Sequence, residues 1–226
     1  MFASAAAAVL GWAVVTQDAT ALRAAPAGNG TVQAQLWPGD LVEVRGERLD
    51  FLQVYDHARE RAGYLRPAQL RPLATAPADA PALLSLLRFL RDQPGAESLG
   101  IAYAAAYLKA VPAAALDAEP FDALGVMAER LARRASARAG RGSDSVAGQL
   151  ESASRYGVKF NSFERDGALQ LCYEGEAFRR VLAMAPDATQ QARAVLALTR
   201  HDCVDPALPP HRKPALDQWR ADLLDR

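Results

Sequence analysis

The chain is poor in cysteine and lysine, carries no excess charge of either sign and holds no long hydrophobic run. Cys172 and Cys203 are the only cysteines, so one pair is the largest disulfide framework it can build. Lys109, Lys159 and Lys213 are the only lysines. Beside so much alanine and arginine, that scarcity reflects a GC-rich bacterial genome more than any chemistry. Basic and acidic residues balance at 26 each, so no global field draws the chain to nucleic acid or to an anionic membrane. The first apolar stretch stops at Thr16-Gln17-Asp18, short of the roughly 20 residues that an integral membrane span needs. Gly-x-Ser-x-Gly, a phosphate loop and a dinucleotide fingerprint are all missing. Gly140-Arg141-Gly142-Ser143 is too short for a phosphate loop and follows no strand. No catalytic residue, metal ligand set or cofactor is therefore assigned.

What is present divides near Leu73. Half of the 226 residues are hydrophobic, enough for one or two packed cores, and the composition shifts from short Val/Leu-rich runs to alanine-rich helical periodicity. Residues 9–75 form the first expected domain and 80–226 the second, joined by the stiff Ala/Pro linker Ala74 to Pro81. Met1 to Ala8 reads as the tail of an export signal whose beginning is incomplete: its small residues suit a cleavage site, but no basic stretch precedes them. Export predicts a periplasmic or secreted protein.

In the first domain, β-forming runs lie at Trp12 to Val15, Leu36, Leu41 to Val44, Phe51 to Tyr55 and Gly63 to Leu65. Ala27-Gly28-Asn29-Gly30, Pro38-Gly39-Asp40 and Arg45-Gly46-Glu47 supply the turns between them. Val42 and Val44 share one face while Glu43 and Arg45 share the other. Five short strands at this spacing close most economically into a small barrel.

Leu22-Arg23-Ala24-Ala25-Pro26, Pro38 to Val44, and Gly63-Tyr64-Leu65 together resemble segments of the bacterial SH3-like domains, over about 60 residues within 12–73. Asp50-Phe51 stands where that family usually has Gly-Trp. The resemblance implies a wall-associated or cell-envelope binding module attached to a separate domain. The whole is then a multidomain α+β chain: a small SH3-like β-barrel followed by an α-rich helical domain with one β-hairpin.

Asp79 and Pro81 mark a helix start, and Leu83, Leu86, Leu87 and Leu90 form one apolar stripe ending at Pro94-Gly95. Leu99, Tyr103, Ala106 and Ala110 line a second helix. From Pro120 a longer one carries Phe121, Leu124, Ala128, Leu131 and Ala135, and Ser143 caps a short helix to Arg155. Asp166-Gly167, between alternating runs, predicts a hairpin near 158–173. Helices follow over Glu176 to Ala185, Ala188 to His201 and Pro214 to Arg226. Arg130, Arg133, Arg134, Arg138 and Arg141 read as a solvated helix face.

Cys172 and Cys203 flank an αα-hairpin, whose antiparallel packing brings both to one end; a disulfide is expected, with two buried thiols as the alternative. His201-Asp202-Cys203 with His211 lacks the spacing of a zinc or thiol-nucleophile site, and His201 at a helix end suits the helix dipole. Asp117 with Glu119, and Glu174 with Glu176, lie beside helix starts, where carboxylates are expected on electrostatic grounds alone. Among the aromatics, Trp37, on a loop beside Pro38-Gly39, and Tyr55 are the candidate ligand contacts.

These features point to a non-enzymatic, exported bacterial binding or scaffolding protein of the cell envelope, its partner an envelope protein, a peptide or a cell-wall fragment. The rival reading is a cell-wall-directed hydrolase whose barrel positions substrate, which predicts a deep cleft of convergent polar groups in residues 80–226. A helical oligomerisation platform is the third and predicts an exposed apolar stripe.

Overall fold

A computed structural model describes residues 11–138 and 144–225. The segment Met1 to Ala8, read as the tail of an export signal, the expected start at Val9, Gly140, Arg141 and the expected Ser143 cap lie outside those residues. The chain is mixed α/β. Strands β1 (Gly11–Val15), β2 (Thr20–Arg23), β3 (Val32–Leu36), β4 (Leu41–Arg48), β5 (Phe51–Asp56), β6 (Arg61–Leu65) and β7 (Leu70–Pro72) form one antiparallel sheet in the order β3-β2-β6-β5-β4-β1-β7. The outermost strands, β3 and β7, do not pair with each other, so the sheet is open rather than a closed barrel.

Seven strands replace the five expected. Thr20–Arg23 and Leu70–Pro72 are too short to show a period of two. Val32–Leu36 is largely exposed, so its side chains carry no apolar alternation. The sheet's own core comprises Ala13, Val15, Leu22, Leu36, Val42, Val44, Val54, Leu65 and Leu70.

Helices α1 (Ala80–Arg91), α2 (Glu97–Ala110), α3 (Glu119–Arg138) and α4 (Asp144–Arg155) follow. Leu83, Leu87 and Leu90 of α1 are buried, as their spacing requires, whereas Leu86 and Phe89 face solvent. Asp79 does not cap α1; its carboxylate accepts from the Ala76 amide, closing the turn before the helix. Alanines let α2 sit inside the bundle, buried on nearly every side. Strands β8 (Phe160–Arg165) and β9 (Ala168–Tyr173) pair around Asp166 and Gly167, both at positive φ as a two-residue hairpin turn demands. Helices α5 (Glu176–Ala183), α6 (Ala188–Leu198) and α7 (Lys213–Leu224) complete the chain. No described helix is long and apolar enough to cross a membrane.

Cys172 on β9 and Cys203, just beyond α6, are joined, with Cα atoms 5.7 Å apart and a sequence separation of 31. On the loop-entropy model such a bridge stabilises by about 3–4 kcal/mol. Replacing both cysteines with serine is accordingly expected to lower the guanidinium midpoint well below that of the oxidised parent. Coincident unfolding curves would refute a stabilising role for the bridge.

The sheet is packed onto the helices rather than standing apart from them. Alternation along β1 sends Ala13 and Val15 into the sheet core and Val14 to the opposite face, where it joins the α1–α2 core of Leu83, Tyr103, Ala106 and Tyr107. The β3–β4 turn plugs into the helical region. Trp37 is only 8% exposed, its indole lying flush on Gly148 of α4, where a Cβ would overlap the ring. Gly39, at φ +96°, leaves no room for a side chain beside the Ser98 carbonyl. Ser98 Oγ donates to the Pro38 carbonyl (2.6 Å) and the Tyr156 hydroxyl to that of Gly39 (2.6 Å).

Arg130 and Arg134 do not form a solvated face. They turn inward to Glu97, which is 0% exposed, at 2.8 and 2.6 Å. Arg134 also donates to Gln149, which donates to Asp18 in the β1–β2 turn, so the buried charges reach across the seam. Arg133 alone among the described side chains of that cluster stays outward, paired with Glu129.

Candidate functional site

The seam between sheet and helices opens beside β1. Because Trp12 and Val14 lie two residues apart, they share the face turned towards α2. Val14 is sealed beneath the helices, while Trp12, 43% exposed, emerges at the edge. Trp12, Leu41, Leu73 and Thr75 line one side of a cleft of about 210 Å³, and Ala102, Ala105, Ala106 and Lys109 of α2 line the other, with Tyr156 between. Ala102, Ala105 and Ala106 follow the three- and four-residue helical step, which turns a narrow stripe of methyl groups into the floor.

The opposite side of Trp12 continues onto the outer face of the sheet. Trp12, Glu43 and Tyr55 occupy one cross-strand row. His57 stands beside Trp12, ring centroids 5.2 Å apart, and meets Tyr55 edge-on at 4.7 Å. The Arg45 guanidinium lies over the Tyr55 ring at 4.1 Å. Glu43 fixes this strip, accepting from Arg45 Nε (2.9 Å) and Nη2 (2.7 Å) and standing 2.9 Å from His57 Nε2. Those hydrogen bonds, first from Arg45 and then from His57, hold the Glu43 carboxyl below its ordinary range. The result is a row of flat groups with no buried unpaired charge, suited to stacking against a ligand.

Tyr55 therefore belongs to the strip, whereas Trp37 does not. The expectation that Trp37 is exposed on a loop is overturned by its burial on Gly148: the Pro38-Gly39 bend drives the indole inward. Trp12, Arg45, His57, Thr75 and Lys109 were not singled out from the sequence. Trp12 was detectable in principle, since it stands out of phase with Ala13 and Val15. Its opening onto a cleft depends on α2, ninety residues downstream in round figures, which no local pattern reveals.

Two further cavities lie in the helical region. One of about 240 Å³ lies on the other side of Tyr156, bordered by Leu108, Phe121, Leu124, Tyr173 and Arg180. Another of about 260 Å³ borders the disulfide, between Arg179, Arg200, Trp219 and Arg220. Neither gathers an acid–base pair around a nucleophile. Cys203 is bonded to Cys172 and offers no thiolate; His201 begins a short turn after α6, and His211 stands on a separate turn. Among the described residues no group of three or more His, Cys, Asp or Glu is placed to hold a metal ion. Glu119 pairs with Arg88, its backbone amide donates to the Asp117 carboxylate (3.0 Å), and Glu176 pairs with Arg180, so these three carboxylates serve helix ends and helix contacts.

The displaced protonation equilibria are structural too. Burial, the largest influence, raises the Asp40 carboxyl even though Arg155 (3.0 Å) and Arg59 (3.2 Å) oppose it. Burial likewise raises the Tyr156 phenol, and it pushes the Tyr173 phenol up to about 12, so both stay neutral, Tyr156 donating to the Gly39 carbonyl and Tyr173 accepting from the Ala177 amide (2.7 Å). Asp40 also accepts from the Trp37 amide (3.1 Å) and lines none of these three cavities. Comparison with known proteins gives no kinship to set beside this geometry: no family model, no curated protein and no solved structure matches the chain.

Proposed function

We propose that this chain is a non-enzymatic binding or scaffolding protein of the bacterial cell envelope, exported to the periplasm or beyond. The observation that carries the reading is the strip of Trp12, His57, Tyr55 and Arg45, which runs without interruption into the cleft against α2. Large amphipathic rings set around a small apolar recess are what recognition surfaces use for affinity. The Cys172–Cys203 bridge supports an oxidising compartment, where such bonds persist. Kinship of the sheet region with SH3-like domains belongs to the same proposal. It is supported by the Pro38-Gly39-Asp40 turn leading into β4 and by Gly63-Tyr64-Leu65 lying on β6. So does the division at about residue 76 into a sheet module and a helical module.

The hydrolase alternative asks for a deep cleft in the helical region with convergent polar groups. The two cavities there, at about 240 and 260 Å³, set no acid and base beside a nucleophile; Glu176 in one is paired with Arg180, and Cys203 in the other is bonded to Cys172. That weighs against catalysis. The test uses the full chain immobilised and challenged with envelope extract and purified wall fragments. Retention at micromolar concentration is expected, and Trp12→Ala/Tyr55→Ala is expected to weaken it by about tenfold or more with the fold intact by circular dichroism. Equal retention by parent and variant, or none by the parent, overturns the reading.

A further inference from the structure

We infer that the cleft between β1 and α2 receives the carboxylate end of a peptide whose last residues are small and apolar, with Lys109 as the anchor for its charge; this rests on the binding reading above. Nearly all the described arginine side chains are engaged with carboxylates or carbonyls, whereas the three lysines make no side-chain ion pair or hydrogen bond among the described residues, and of these Lys109 alone borders one of the three cavities. It stands in the last turn of α2, where the helix dipole favours a cation, yet its ammonium donates to none of the terminal carbonyls. It faces a recess whose other lining is almost wholly apolar. Thr75 is the exception, and its hydroxyl has no hydrogen-bond partner among the described residues either. An ammonium and a hydroxyl without partners among the described residues, both lining one apolar slot, complement a carboxylate carried on an apolar body.

The dimensions select the body. A cleft of about 210 Å³ is smaller than a drug-sized site and so takes only a small body, while its floor of Ala102, Ala105 and Ala106 lets a peptide backbone approach the helix closely. Trp12 lines the same slot, so the strip of His57 and Tyr55 beside it offers faces for the residues that precede a carboxylate held at Lys109. That path suits an extended peptide better than a fatty acid, whose tail needs a longer enclosed channel than this open recess supplies.

Calorimetric titration of the full chain with acetyl-trialanine as the free acid, its C-terminal amide, and decanoate tests the assignment. The free acid is expected to bind about tenfold or more tightly than the amide. Lys109→Met is expected to reduce the acid to the level of the amide, Lys109→Arg to retain the preference, and Ala105→Phe, which fills the slot, to abolish binding of both. Acid and amide binding equally, an unaffected Lys109→Met, or decanoate outcompeting the peptide each overturns the inference. If no peptide binds while wall fragments are still retained in a Trp12-dependent way, the carboxylate assignment falls and the binding function stands. If retention also fails, both fall.

Discussion

Trp37→Ala is expected to lower the unfolding free energy by about 3–5 kcal/mol, the range for removing a large aromatic from a packed core. Although it sits at a turn, this indole is enclosed as deeply as a core side chain, with Gly148 beneath it and the bonds of Ser98, Tyr156 and Asp40 holding the turn around it. Gly148→Ala injures the same contact from the other side by driving a methyl group into the ring. The two lesions are therefore not additive: in a Trp37→Ala background, Gly148→Ala is expected to cost little or nothing further. Guanidinium unfolding of the four proteins followed by circular dichroism gives both numbers. A single-variant loss below about 1 kcal/mol, typical of a surface change, would show that the seam is not packed as described.

Glu97→Ala ranks beside it, at about 3–5 kcal/mol. The carboxylate is fully enclosed and holds the guanidinium groups of Arg130 and Arg134 together with the Gly95 amide (3.0 Å). Its removal leaves two partly buried cations repelling each other with their counter-charge gone, which costs more than the pair contributes while intact. Because Arg134 also reaches Gln149, and through it Asp18, the damage is expected to spread to the β1–β2 turn. Faster proteolysis around Asp18 in the variant is the local signature. Stability within about 1 kcal/mol of the parent would mean that solvent enters and screens the arginines.

How far the sequence discloses the molecule depends on how local each feature is. Asp166-Gly167 declares its hairpin because the turn chemistry and the flanking alternation sit within a dozen residues. The leucine stripe of α1 and the pairing of Cys172 with Cys203 are legible for similar reasons of spacing. Arg130 and Arg134 mislead, since a cluster of arginines on a helix is ordinarily solvated and their partner, Glu97, belongs to another helix. Trp37 misleads in the same way: a tryptophan beside Pro-Gly reads as a loop tip until Gly148 is placed under it. Of the candidate site, only Tyr55 was legible. Trp12 carries a signal in its alternation with Val14, and Lys109 carries none that is visible along the chain.

The position of Trp37 also bears on biosynthesis. A chain delivered N-terminus first has every strand of the large sheet once Pro72 has emerged, but the glycine that receives the indole lies on α4, far downstream, and Cys203 follows later still. For that interval the nascent molecule presents an uncovered tryptophan and an acidic Asp40 awaiting Arg155, a sticky intermediate of the sort that holding chaperones recognise.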